Sequence, residues 1–202
     1  MHLDRRQALR KLAAGGLGAA TAPLWSQRLT ELALAHADPH THAAAQAAAA
    51  GAAPWKPRVL DAHQNETVVT ISELIIPRTD TPGAEAAKVN EFIDLVLSEA
   101  QPAERREFFR GLLWMDARSR ELFGADFVSA APEQQTALLT IVSSPANKST
   151  GDQLGREFFE AVKGLTITGY YTSEIGLRQE LKEDGGLFFA EYPGCRHPQH
   201  QG

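Results

Sequence analysis

One cysteine, Cys195, stands in a chain of 202 residues, so no disulfide can close within it. The sequence also lacks a dinucleotide glycine fingerprint, a phosphate-binding P-loop, a CxxCH haem attachment site, a paired CxxC and an HExxH. Each of these is a short spacing that a backbone cradle or a metal's coordination shell requires. Their absence weighs against a self-contained redox enzyme. No nucleophile elbow surrounds Ser173, which leaves hydrolase chemistry without support. No segment alternates apolar and polar residues between hairpin turns, which argues against a sheet. The first apolar run ends at Pro23 and Gln27-Arg28, short of the roughly 20 residues that span a bilayer.

What is present begins at the N-terminus. Asp4-Arg5-Arg6-Gln7-Ala8-Leu9-Arg10-Lys11 leads into the weakly apolar Leu12–Ala20, a pattern that looks like a twin-arginine export leader over residues 1–37. Arg5, Arg6 and Leu9 carry the signal, although Ala8 replaces the usual Phe and Asp4 the usual Ser or Thr. A basic amphipathic helix is the competing reading, but Gly15, Gly16 and Gly18 would each cost a helix about 1 kcal/mol. Ala35-His36-Ala37 is the best small-x-small processing site, since Ala20-Thr21-Ala22 is followed by Pro23. Such leaders export proteins already folded, often because a cofactor was inserted first, and no cofactor motif occurs in this chain.

Removing residues 1–37 takes away five basic residues (Arg5, Arg6, Arg10, Lys11, Arg28) and two acidic ones (Asp4, Glu31), so the formal charge moves from -5 to -8. An acidic protein lacks the cationic footprint that nucleic acid or an anionic lipid surface demands. In an exported chain the odd Cys195 implies either an intermolecular disulfide or a free thiol, and the turn-rich Tyr192–Pro198 around it favours exposure. Cys195, His197 and His200, with His40, His42 or His63, come nearest to a metal cluster. Isolated His and Cys in a polar tail are ordinarily unliganded, and no metal ligand is assigned.

Residues 38–58 are rich in Ala and Pro and almost without large apolar side chains, which reads as a linker. Residues 59–202 read as one all-α domain. Glu66–Ile76 is apolar around much of its circumference and ends at Pro77, before a loop turning at Pro82-Gly83. Val89, Phe92, Ile93, Val96 and Leu97 follow the i, i+3, i+4, i+7, i+8 template of an amphipathic helix. Two more helices open at Pro102 and Pro132, a fifth runs from about Leu154 to near Gly169, and a sixth starts at Thr172 or Ser173 and reaches about Leu181. Residues 185–202 read as an irregular tail. Asp80, Glu91, Asp94, Asp116 and Glu174 are the available acid/base groups, and each reads as a solvated helix face or a cap.

Two stretches, Thr70–Ala84 and Gly169–Leu177, carry a family resemblance together with Val89–Asp94 and Tyr192-Pro193-Gly194-Cys195. They resemble the gluconate 2-dehydrogenase subunit 3 family over roughly residues 64 to 198. The resemblance implies a small non-catalytic subunit that holds no cofactor, paired with a large flavin-dependent dehydrogenase of the glucose-methanol-choline type. That partner would carry FAD and oxidise a sugar or sugar acid, with electrons passing to a cytochrome c subunit or the respiratory chain. The small subunit would supply the export signal to the periplasm and aid its partner's maturation. Cys195 becomes a candidate for the intersubunit disulfide. Pro77, Arg78, Thr79, Asp80, Thr81, Pro82, Tyr170, Tyr171, Thr172, Ser173 and Glu174 become candidates for partner docking, alongside an internal role as turn and helix start. The competing expectations are an independent exported enzyme with an unrecognised cofactor, and a metal-binding tail.

Overall fold

The computed structural model describes residues 23–37 and 55–182. Among these residues the fold is all-α, with six α-helices and no strand: α1 (Leu24–Ala35), α2 (Ala62–Ile75), α3 (Val89–Glu99), α4 (Pro102–Phe123), α5 (Pro132–Ser143) and α6 (Gln153–Tyr171). A 3₁₀ turn covers Phe127–Ser129, and a π-helical stretch, Ile175–Glu180, follows α6.

The helix starts follow local chemistry. Asp61 accepts the Gln64 amide at 2.8 Å while the Gln64 side chain accepts the Asp61 amide at 3.0 Å, a capping box that begins α2 four residues earlier than the apolar pattern suggests. Pro102 and Pro132 occupy the first turns of α4 and α5, where a missing N–H costs nothing. Glu104 and Gln134 then reach back to the preceding amides of Gln101 and Ala131. Helix α4 ends at Gly124, whose φ of 81° is a left-handed cap.

Helix α6 is the central element, packed by α1, α2, α3, α4 and α5. Its buried positions Phe158, Phe159, Val162, Leu165 and Tyr170 meet partners on every side. Gly111 lets α4 approach until Phe108 and Phe158 stack edge to face with centroids 5.1 Å apart. The amphipathic pattern of α3 is realised in full, since Val89, Phe92, Ile93, Val96 and Leu97 are all buried. Burying each such side chain contributes about 1.5–3 kcal/mol. Ser72 and Thr166 satisfy one another across the α2–α6 contact at 3.1 Å.

Two acidic residues differ from the solvated or capping roles expected of them. Asp94 is 1% exposed and accepts the backbone amides of Arg58, Val59 and Leu60 at 2.6, 3.1 and 3.0 Å. This ties the segment entering α2 to the middle of α3. Asp116 is buried on α4, taking the Phe127 amide at 3.0 Å and the His63 Nε2–H at 2.6 Å. Both carboxylates act as staples between segments distant in sequence.

Residues 24–35, inside the span read as a leader, form α1 and are part of this core. Ser26, Leu29 and Ala33 are buried against the body, and Trp25 and Leu32 are packed at the margins.

Candidate docking surface

The loop between α2 and α3 is built on one carboxylate. Where α2 ends before Pro77, the Glu73 side chain accepts the Arg78 amide at 2.7 Å on one stem and the Glu85 amide at 2.9 Å on the other. Gly83 sits so close to that carboxylate that a Cβ there would overlap it. The Ala84 amide returns to the Ile76 carbonyl at 2.9 Å, closing the loop base. Within the loop the Thr79 amide donates to the Thr81 carbonyl at 3.0 Å, and the Thr79 hydroxyl to Asp80 at 2.8 Å.

The second stretch meets this loop. Helix α6 runs to Tyr171, two residues beyond the predicted end near Gly169, and the fully buried Tyr170 donates its hydroxyl to the Pro82 carbonyl at 2.7 Å. Thr81 donates to Glu180 at 2.5 Å, so the π-helical stretch holds the loop from the other side. Tyr171 packs edge to face on Tyr170, with centroids 5.1 Å apart.

The segment after α6 was expected to be an ordinary helix starting at Thr172 or Ser173. Ser173 does cap, accepting the Gly176 amide at 3.1 Å while its hydroxyl donates to the Tyr170 carbonyl at 2.6 Å. The turns that follow are wider than α-helical, with the Leu181 amide bonded back to Gly176. Gly176 lies against the Tyr170 carbonyl, where a Cβ would not fit. With its hydroxyl committed to both bonds and the residue buried, Ser173 is a structural group. Thr172 likewise bonds back to the Thr168 carbonyl at 2.8 Å.

The expected docking residues therefore divide into two sets. Tyr170 and Ser173 point inward and shape the surface. Pro77, Arg78, Thr79, Asp80 and Glu174 are exposed, with Thr81, Pro82, Tyr171 and Thr172 half-buried between the sets. Glu174 pairs with Arg178 at 3.2 Å on the outer face. Pro77 also borders an open apolar groove lined by Leu74, Ile75, Leu139 and Phe159. Sequence reasoning missed this groove, because its two walls come from α2 and from α5 with α6.

Electrostatics elsewhere are local. The half-exposed His63 has its pKa raised, chiefly by its hydrogen bond to Asp116, with burial opposing and the charges of Asp116, Asp126 and Asp61 adding to the rise. The Arg118 guanidinium, bonded to Glu121, is pushed further up and stays charged. Among the described residues no group of three or more His, Cys, Asp and Glu could hold a metal ion, and no helix is long and apolar enough to cross a membrane. Arg5, Arg6, Leu9, His40, His42, Cys195, His197 and His200 lie outside the described residues.

No curated protein and no solved structure matches the chain. The family profile described as gluconate 2-dehydrogenase subunit 3 matches residues 62–187, which takes in every helix from α2 onward and both stretches of the candidate surface. The chain belongs to the gluconate 2-dehydrogenase subunit 3 family.

Proposed function

We propose that this chain is the small, non-catalytic subunit of an exported flavin-dependent dehydrogenase complex. It pairs with a large subunit of the glucose-methanol-choline type, which carries FAD and oxidises a sugar or sugar acid. The small subunit brings the twin-arginine signal for the folded pair and assists its partner's maturation in the passage to the periplasm. Electrons leave the flavin for a cytochrome c subunit or the respiratory chain. The family match over residues 62–187 carries this reading, because the family is described as a subunit of a dehydrogenase.

A role in docking suits the outward set of residues. The Glu73 clamp and the Tyr170–Pro82 bond hold Pro77 to Pro82 in one shape before any partner arrives, so less conformational entropy is lost on association. The groove beside Pro77 offers apolar surface, while the exposed Arg78, Asp80 and Glu174 offer charge for orientation. Cys195 is the candidate for a covalent link to the large subunit.

Co-expression tests the proposal. A co-expressed flavoprotein of the glucose-methanol-choline type from the same host should accumulate in the periplasm with its flavin only when the chain is present. Normal maturation and export of that flavoprotein without the chain would refute it.

A further inference from the structure

Helix α1 lies outside the family match at residues 62–187 and inside the span read as an export leader, yet it is built into the body. Leu29 and Ala33 are 0% exposed and Ser26 3%, at the i, i+3, i+7 spacing of one helix face. That face lies on α6, the central helix, where Thr30 approaches so closely that a Cβ on Gly164 would come within 3.1 Å of its hydroxyl oxygen. Arg28 lies 3.6 Å from the buried carboxylate of Glu104, and His36 Nε2 is 3.0 Å from Glu99 Oε2. These pairs fasten α1 to the start of α4 and the end of α3.

The best small-x-small processing site, Ala35-His36-Ala37, belongs to the end of this same helix. Ala35 is its last residue, the His36 amide bonds to the Leu32 and Ala33 carbonyls, and the Ala37 amide bonds to Leu34. A processing peptidase takes its substrate as an extended strand, so cutting there requires the helix end to be pulled out and unwound. Cutting after Ala37 would also remove Leu29 and Ala33 from the core, leaving their apolar footprint on α6 open to water.

We propose that Leu24–Ala35 is a permanent helix of the exported subunit, that Ala35-His36-Ala37 is not a processing site, and that any cut in the leader falls upstream of Leu24. The arginine pair and its apolar run precede this helix in the sequence. This inference rests on the reading of residues 5–20 as an export signal.

The test is peptide mapping and intact mass of the subunit from the periplasmic fraction of its host. Trypsin cuts after Arg28 and not before Pro57, so a retained α1 yields the peptide Leu29–Arg58. A chain starting at Asp38, seen as the semi-tryptic peptide Asp38–Arg58, would overturn the proposal. Full-length Leu29→Ala, with the 61%-exposed Leu34→Ala as control, reports on α1 independently of export. Leu29→Ala should lower Tm by roughly 5–15 °C and Leu34→Ala should leave it unchanged. Equal, negligible shifts would overturn the core assignment. Twin Lys replacement of Arg5 and Arg6 should empty the periplasmic fraction. If it does not, the export reading fails, and the Leu29→Ala result still decides whether α1 is core.

Discussion

Tyr170, at the end of α6, donates its hydroxyl at 2.7 Å to the carbonyl of Pro82, 88 positions earlier in the loop between α2 and α3. This one bond joins the two stretches by which the family is recognised. It also makes the shape of the exposed loop depend on a residue that is itself completely buried.

Tyr170→Phe keeps the ring and removes that bond. The expected loss is about 0.5–1.5 kcal/mol, since a single neutral hydrogen bond is exchanged at Pro82, a half-buried residue. Thermal unfolding should show a fall of a few degrees, and affinity for the large subunit should fall beyond what the stability loss explains. Unchanged affinity would mean that the loop's shape does not matter to docking.

Asp94 satisfies three amides of the segment entering α2. Asp94→Ala leaves those donors without their charged acceptor and should cost about 3 kcal/mol or more. Asp94→Asn keeps one acceptor oxygen but turns an amide NH₂ toward the remaining donors, and should fall between wild type and Ala. Urea unfolding of the three proteins orders them, and a neutral Asp94→Ala would show that the staple contributes little.

The pair His63–Asp116 should give stability a pH dependence. The folded-state pKa of His63 is raised above its ordinary value of about 6.5, chiefly through the Asp116 hydrogen bond, so the folded state binds this proton more tightly than the unfolded chain. The contribution is therefore fully present below about pH 6.5 and is lost as pH rises through the folded value above it. Measured as Tm from about pH 5.5 to about 9, the gap between wild type and His63→Gln should narrow with rising pH. A gap that widens instead would contradict this sign.

Cys195→Ser tests the covalent link. Non-reducing electrophoresis of the wild-type complex should show a heterodimer band that collapses with reductant and is missing from the variant. The variant should still assemble in part through noncovalent contacts, because a bridge typically adds only about 2–4 kcal/mol. A band that persists in the variant would rule out Cys195 as the bridging thiol.

Much of the fold was legible because periodicity and punctuation act locally. The buried stripe of α3, the prolines opening α4 and α5, and the stop at Pro77 are all set by neighbours within a turn or two. Helix α1 was obscured because an Ala- and Leu-rich segment downstream of an arginine pair and its apolar run has the composition of a leader, and composition does not reveal which face finds a core. The roles of Asp94 and Asp116 depend on amides and an imidazole 11 to 53 positions away. A signal for Asp116 did exist, since it lies four residues after Leu112 and eight after Phe108, on the apolar stripe itself. In the candidate site, the sequence marked both stretches without revealing that they touch or that Tyr170 and Ser173 face inward. The π-helical turn went unforeseen because the tight fit of Gly176 against the Tyr170 carbonyl that accompanies it has no counterpart in periodicity.

On the proposed function, this chain works as one subunit of a flavoprotein dehydrogenase. An affinity pull-down of the tagged full chain from its host's envelope, with mass spectrometry and an absorbance scan of the eluate, tests it most directly. The eluate should hold a large partner of the glucose-methanol-choline type and show flavin bands near roughly 380 and 450 nm, the partner's cofactor carrying the redox chemistry. A clean, colourless chain eluting alone would contradict it.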